Sequence, residues 1–146
     1  MRFLDDSGQF GLLVSPHSGH RLFRFQFIVG GQLVGDNDGC ILGSVMTQLK
    51  DRPHVDDERL DLLGTDPAKF MEMMAVDEFL HDSTIMSSVE SLDRWTVYSY
   101  VRLGRFVIVA QEVSSQGFNP IFIANVDEVD FLAIVDAART YWLNCQ

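Results

Sequence analysis

Alternating aromatic and polar residues mark the clearest strand in the sequence. Within residues 21–29, three phenylalanines occupy alternate positions with polar side chains between them. This period of two gives an extended chain one aromatic face and one polar face. Gly30 and Gly31 separate this run from a second extended segment, residues 32–34. Paired glycines between two β-rich runs predict a hairpin, because both can adopt positive φ. Residues 10–14 predict a short first strand.

The next part of the chain shows the spacing of an amphipathic helix. A helix is predicted over residues 40–51, with Asp38 as its N-cap and Pro53 as its stop. Its apolar stripe consists of Ile41, Leu42, Val45, Met46 and Leu49. Residues 54–64 are acidic and only thinly apolar, which predicts a loop or a short helix.

A second helix is predicted to begin at Asp66 and Pro67, since proline is favoured at the first helical position. From Phe70 to Leu80 the chain is apolar on nearly every side and is interrupted by three acids. A helix of this composition is expected to be largely buried or to face a partner. The three methionines of this run are more typical of core packing than of a binding surface.

The second half of the chain predicts a meander of short strands. Residues 95–103 and 105–113 are β-rich and flank Gly104, which marks the turn. After a loop that contains Gly117, residues 121–123 predict a third strand. A meander of this size needs a helix to cover one face.

The final helix supplies that cover. Asn125 is predicted to cap it, and Glu128 three positions later gives an arrangement like a capping box. Its apolar positions fall on one continuous stripe, which we expect to lie across the sheet and close the core. The stripe consists of Phe131, Ile134, Val135, Ala138, Tyr141 and Trp142.

This order of elements predicts one α+β domain over residues 1–146. The expected architecture is an antiparallel or mixed sheet of about five to six short strands, packed by the C-terminal helix and one or two middle helices. We favour a single sheet with helices mainly on one face, although the pattern also allows two sheets.

The charge balance restricts the partners. Eleven basic and twenty-one acidic residues give a net charge of −10 at pH 7. A negative field of this size repels the phosphates of nucleic acids and anionic membrane surfaces. Such a field accelerates encounter with a basic protein. The acidic composition is explained equally well by its contribution to solubility.

The first ten residues carry Asp5 and Asp6 and no apolar segment, so no secretion signal is predicted. No run of about 18 apolar residues predicts a transmembrane helix. Cys40 and Cys145 fit no metal-ligand or redox spacing and are expected to be reduced thiols. The expected location is therefore the cytoplasm.

The histidines predict no catalytic centre. His17 and His20 are three positions apart in a loop, but no neighbour completes a metal shell. His54 precedes a short run of acids whose spacing matches no known cation loop. His81 lies at a predicted helix end, where a histidine is electrostatically favourable. We therefore expect no catalytic residue, no metal and no cofactor.

The motif Asp36-Asn37-Asp38-Gly39 begins like a calcium loop. Its glycine lies at the wrong position, and no bidentate glutamate follows at the required distance. It is interpreted as a turn and a helix cap.

Acidic side chains are the candidate partner-binding residues. The densest group lies between Asp56 and Asp66. Such a segment is either a solvated loop or an imitation of nucleic acid that occupies basic residues on a partner protein. The candidate contacts are Asp36, Asp38, Asp56, Asp57, Glu58 and Asp61.

The segment FRFQFIVGGQLVGDNDGCILGSVMTQLKDR, residues 23–52, resembles a family of bacterial immunity proteins from polymorphic-toxin and contact-dependent growth-inhibition systems. The shared features are the aromatic strand, a Gly-x-x-x-Gly-Asp turn from Gly31 to Asp36, and an amphipathic helix rich in Leu and Ser. The resemblance implies a cytosolic protein that neutralises one cognate toxin, a nuclease among the candidates, by occluding a basic active-site or substrate-binding surface. It transfers no catalytic residues.

Two other interpretations stay open. Secretion chaperones are also small, acidic α+β proteins and are usually dimeric, but they often begin with a helix, which residues 1–20 do not predict. An enzyme with a scattered site would bring histidines and carboxylates together only on folding. The oligomeric state and the identity of the toxin are not determined by the sequence.

Overall fold

The computed structural model describes residues 1–18, 21–87, 89–114 and 119–145. These ranges form eight strands, four α-helices and two 3₁₀ helices. The strands are β1 (Arg2–Leu4), β2 (Phe10–Pro16), β3 (Phe23–Val29), β4 (Gln32–Val34), β5 (Gly39–Cys40), β6 (Trp95–Arg102), β7 (Arg105–Glu112) and β8 (Ile121–Asp127). The helices are α1 (Leu42–Lys50), α2 (Pro67–Val76), α3 (Glu78–Thr84) and α4 (Glu128–Asn144), with 3₁₀ helices at Glu58–Gly64 and Glu90–Leu92. None of the helices in these ranges is long and apolar enough to cross a membrane.

The first five strands form one antiparallel sheet, here called the N-sheet. Its order is β1-β2-β3-β4, and β5 pairs with the opposite end of β3. The predicted glycine turn joins β3 to β4, with φ of 58° at Gly30 and 75° at Gly31. These positive φ values match the right-handed twist of a tight hairpin.

The last three strands form a second antiparallel sheet, here called the C-sheet, in the order β6-β7-β8. Its first hairpin turns at Leu103 and Gly104, which have φ of 50° and 73°. Backbone bonds from Val55 and Met86 to β6 carbonyls cover the outer edge of this sheet, so that edge is shielded from other chains.

The main core lies between the two sheets, α1 and α4. The aromatic face of β3, the inner face of the C-sheet and the stripe of α4 all contribute to it. Phe131 of α4 stacks on Phe106 of β7 with ring centroids 3.7 Å apart, and Phe10 of β2 lies edge-on to Phe106 at 5.2 Å. The predicted role of the last helix in closing the core is therefore confirmed.

A second core lies on the opposite, outer face of the C-sheet. Tyr98, Tyr100, Val107 and Val109 project from that face and are buried by residues of the middle segment. The middle segment contributes Leu60, Phe70, Met71, Met74 and Leu80. Both faces of the C-sheet are thus covered, which explains why β6 and β7 are apolar on both sides.

The α+β class is confirmed, whereas the favoured single sheet is wrong. The strands are divided into two sheets because the long helical middle separates β5 from β6, and each half closes its hairpins locally. The helices also do not lie mainly on one face. They fill the space beside both sheets and cover the outer face of the C-sheet.

Strand pairing contradicts two predicted helix caps, Asp38 for α1 and Asn125 for α4. Asp38 does not cap α1, because Cys40 pairs with Phe23 and the helix begins only after Ile41, which makes no side-chain capping bond. Asn125 does not cap α4, because it pairs with Val107 inside β8.

The structure differs from the predictions in three further respects. Ile41, expected on the buried stripe of α1, is 61% exposed because it precedes the helix. The run from Phe70 to Leu80 is two helices, since the chain is extended at Asp77 with ψ of 99°. Strand β1 was not expected. His20 and Gly117 lie outside the described residues.

Candidate functional site

An acidic layer, residues 54–84, covers the outer face of the C-sheet. It comprises the 3₁₀ helix Glu58–Gly64, α2 and α3, and the second core attaches it to the sheet. This layer contains nine acidic and two basic side chains, a net charge of −7 of the −10 carried by the chain. Most of the net negative charge of the protein therefore lies on one side of the molecule.

Three acids of the layer form its helix caps. Each of the three helical segments begins after an aspartate whose carboxylate accepts a hydrogen bond from a backbone amide of the first turn. The distances are 2.9 Å for Asp57, 3.1 Å for Asp66 and 2.9 Å for Asp77. These bonds satisfy amides that a helix start leaves unpaired, so part of the acidity of the segment is structural.

Arg59 joins two of these caps. Its guanidinium lies 2.7 Å from the carboxylate of Asp57 and 2.7 Å from that of Asp77. The side-chain hydrogen bond from Arg59 is the main reason that the pKa of Asp57 falls to about 2. The pKa of Asp77 is also lowered, first by the backbone amide of Leu80 and then by Arg59. Both carboxylates are therefore fixed as ionised groups.

The structure separates the four predicted contacts of the 56–61 segment into two kinds. Asp57 is a cap, and Asp61 forms an ion pair with Arg102 at the end of β6. Asp56 and Glu58 are exposed, and among the described residues neither makes a hydrogen bond or ion pair. These two carboxylates are the ones left available to a partner.

The other two predicted contacts lie elsewhere. The amide of Asp36 donates to the carbonyl of Ser91 at 2.9 Å, and the amide of Asp38 donates to the Asp36 carboxylate at 3.0 Å. This is a local turn beside the segment that leads into β6, whereas Asp61 lies at the far end of that strand. Within the described part of the chain, no hydrogen bond or ion pair joins the two groups. The six acids therefore do not form one cluster.

Sequence reasoning missed two exposed apolar side chains in the same layer. The side chains of Val76 and Phe79 are 81% and 74% exposed, although they belong to the run expected to be buried or to face a partner. Phe79 lies in the first turn of α3 beside the buried Leu80, and the bend at Asp77 sets the orientation of that turn. Helical periodicity counted from Phe70 does not extend across this bend, so the sequence pattern gives no signal for the exposure of Phe79.

A groove of about 470 Å³ lies between the 3₁₀ helix and the outer face of the C-sheet. Leu60, Leu63 and Tyr100 contribute apolar surface to it. Its two cations, Arg102 and Arg105, are already paired, the first with Asp61 and the second at 2.8 Å with Asp127. The groove therefore presents apolar surface and neutralised cations rather than an anion site.

Two histidines each lie beside one carboxylate. His54 lies 3.3 Å from Glu128, and His81 lies 3.1 Å from its neighbour Asp82. In the described ranges, no three His, Cys, Asp or Glu side chains are grouped so that they could hold a metal ion. Burial raises the pKa of the Cys40 thiol to about 12, so this thiol is protonated at neutral pH and a poor nucleophile.

No protein-family model matches this sequence, and no curated protein matches it. Among solved structures, the chain is similar to CdiI from Burkholderia dolosa AUO158, with a TM-score of 0.63 and 14% sequence identity. The match covers 97% of this chain and 99% of that chain. CdiI is a contact-dependent growth inhibition immunity protein. The resemblance of residues 23–52 to immunity proteins is therefore confirmed as a likeness of fold, which extends over nearly the whole chain.

Proposed function

We propose that this protein is a cytoplasmic immunity protein that neutralises a cognate toxin domain by binding it. The observation that carries the proposal is the likeness to CdiI, which extends over nearly the full length of both chains rather than over a shared fragment. The resemblance of residues 23–52 to immunity proteins points the same way, since its aromatic strand and its amphipathic helix both occur in the structure, as β3 and α1.

The charge distribution supports a binding mechanism. An acidic layer with a net charge of −7 attracts a basic surface, and catalytic sites that act on nucleic acids present such surfaces to phosphates. Asp56 and Glu58 are the exposed acids of the 3₁₀ segment that would contribute to this attraction. Occupying such a surface needs no chemical step, so the protein would inhibit by occlusion.

The rigidity of the layer suits this role. Its helices are capped by aspartates, joined by Arg59 and attached to the C-sheet by a second core. A surface that is ordered before binding loses little conformational entropy when the complex forms. This arrangement favours tight binding of one partner over adaptive binding of many.

The test is co-expression with the C-terminal domain of the protein encoded immediately upstream. We expect that domain alone to stop growth, and this protein to restore growth and to co-purify with it. An unrelated acidic protein of similar size and net charge is the control for a purely electrostatic effect. If the domain is harmless, or if growth is not restored, the immunity function is wrong. A dimer that holds an unfolded segment of that product would instead identify a secretion chaperone.

A further inference from the structure

Val76, the last residue of α2, and Phe79, in the first turn of α3, belong to the acidic layer and are largely in water. They are 81% and 74% exposed, and the described chain places no other side chain over them that would bury them. Scattered exposed aliphatic residues are common on proteins. A phenylalanine exposed to this extent is less common, and aromatic side chains are enriched where proteins bind one another.

The position of Phe79 is fixed by its surroundings. Asp77 interrupts the helix and caps α3, whose first turn contains Phe79. Leu80 and Thr84 of the same helix are completely buried, so α3 cannot rotate to bury Phe79 without exposing them. Phe79 is therefore presented outwards on a rigid element, and little ordering is required when it is buried by a partner.

Carboxylates lie near each of these two apolar side chains. Glu78 and Asp82 line the same shallow depression as Phe79. Glu72 lies one helical turn before Val76, on the same side of α2. All three acids are exposed. An apolar centre with a charged rim is the arrangement found in protein interfaces.

The negative charge around Val76 and Phe79 excludes most classes of binding partner. A second copy of the chain would place like-charged layers against each other, which opposes self-association through this face. Nucleic acids and anionic membranes are repelled for the same reason. A basic protein surface is the chemistry that matches the rim.

We infer that Phe79 is the apolar anchor that enters a pocket on the cognate toxin domain, that lysine and arginine side chains border this pocket, and that Val76 belongs to the same interface. The inference rests on the proposed immunity function and specifies the part of the acidic layer that holds the toxin. In the complex with the toxin domain, the exposed acids near Phe79 govern the rate of association, and Phe79 itself governs the rate of dissociation.

The experiment measures the binding kinetics of purified variants with the C-terminal domain of the upstream product. Phe79→Ala is expected to raise Kd by about 30-fold or more, mainly through faster dissociation, and Phe79→Leu is expected to lose less. Val76→Ala is compared with Val129→Ala, the same change at a residue of α4 that is 77% exposed and lies outside the acidic layer. The first is expected to weaken binding by about fivefold and the second by less than about twofold.

The outcomes separate this inference from the proposed function. If the wild-type protein binds the domain tightly and Phe79→Ala stays within about threefold of it, the anchor is wrong and the immunity function stands. If the wild-type protein does not bind the domain, both are wrong. Because Phe79 is exposed, the melting temperature of Phe79→Ala should match the wild type, so a loss of affinity cannot be attributed to unfolding.

Discussion

The guanidinium of Arg59 lies 2.7 Å from the carboxylate of Asp77, although 18 residues separate them in the chain. Asp77 ends α2 and caps α3, so this contact joins the 3₁₀ helix to the point where the two α-helices meet. The same guanidinium bonds Asp57, the cap of the 3₁₀ helix. One exposed cation thus links the start of the 3₁₀ helix to the junction of α2 and α3.

Replacing Arg59 tests this link. Arg59→Ala should lower the melting temperature only slightly, because exposed ion pairs are screened by solvent. It should accelerate hydrogen exchange at the amides of the first turn of α3, since the cap loses its support. Arg94→Ala, at an exposed arginine outside the layer, is the control and should leave exchange in α3 unchanged. Unchanged exchange in Arg59→Ala would contradict the proposed link.

The depressed pKa values of Asp57 and Asp77 predict acid sensitivity. Because these carboxyls ionise more readily in the folded protein than in the unfolded chain, they stabilise the fold fully above their ordinary pKa of 3.8. That contribution is lost as the pH falls through their folded values, which for Asp57 is about 2.

Urea unfolding between pH 5 and pH 2 measures this effect. Asp57→Asn keeps a capping oxygen but loses the charge, so its free energy of unfolding should fall less steeply with decreasing pH than that of the wild type. Asp56→Asn removes the neighbouring charge without removing a bond and should keep the steeper wild-type slope. Equal slopes for the wild type and Asp57→Asn would show that this carboxylate does not stabilise the fold.

The stacked pair Phe106 and Phe131 predicts a large core effect. Phe131 is 1% exposed and contacts both sheets through Phe106 and Phe10. Phe131→Ala should lower the free energy of unfolding by about 3–5 kcal/mol, from lost burial and the cavity left behind. Leu132→Ala, at the next residue and 37% exposed, should cost less than about 1 kcal/mol. Equal losses in the free energy of unfolding for the two variants would contradict the position of α4 in the structure.

Gly30 and Gly104 allow a test of packing at the hairpin turns. Both have positive φ, so an alanine at either position costs about 1–2 kcal/mol in backbone strain. At Gly30 a Cβ atom would also lie 3.0 Å from the carbonyl oxygen of Ile123 in β8, whereas at Gly104 it would meet nothing within 4 Å. Gly30→Ala should therefore be more destabilising than Gly104→Ala in urea unfolding. The opposite order would argue against this approach of the two sheets.

The exposed acids of the 3₁₀ segment predict a kinetic effect on toxin binding. The double variant Asp56→Asn/Glu58→Gln should slow association by about two- to fivefold and weaken its dependence on salt, with little change in dissociation. Asp6→Asn/Asp93→Asn removes two exposed charges outside the layer and should change association much less. Stopped-flow measurements at two salt concentrations distinguish these outcomes, and equal slowing in both variants would assign the effect to net charge alone.

Local patterns in the sequence predicted most of the secondary structure. The phenylalanine alternation gave β3, the paired glycines gave its hairpin, and Asp66-Pro67 gave the start of α2. These features depend on neighbouring residues, because strand periodicity and turn conformation are decided within a few positions. The same holds for the stripe of α4, of which Phe131, Ile134, Val135 and Ala138 are buried.

The candidate site was predicted only in outline. The sequence located the acidic segment, but it could not show that Asp57 would be a cap and that Asp61 would pair with Arg102, 41 residues away. It also could not show that the chain would bend at Asp77 and leave Phe79 in solvent. Each of these results depends on which distant groups fold next to the segment.

The sequence by itself therefore determined the α+β class of the fold, the order of most of its elements and its strongly acidic middle. Only the tertiary structure decided that the strands form two sheets, that the acidic middle covers the outer face of the second sheet, and which carboxylates and aromatic groups remain free for a partner. The reason is physical. Periodicity and turn chemistry act between near neighbours, whereas sheet partition, ion pairing and exposure depend on contacts between residues far apart in the chain.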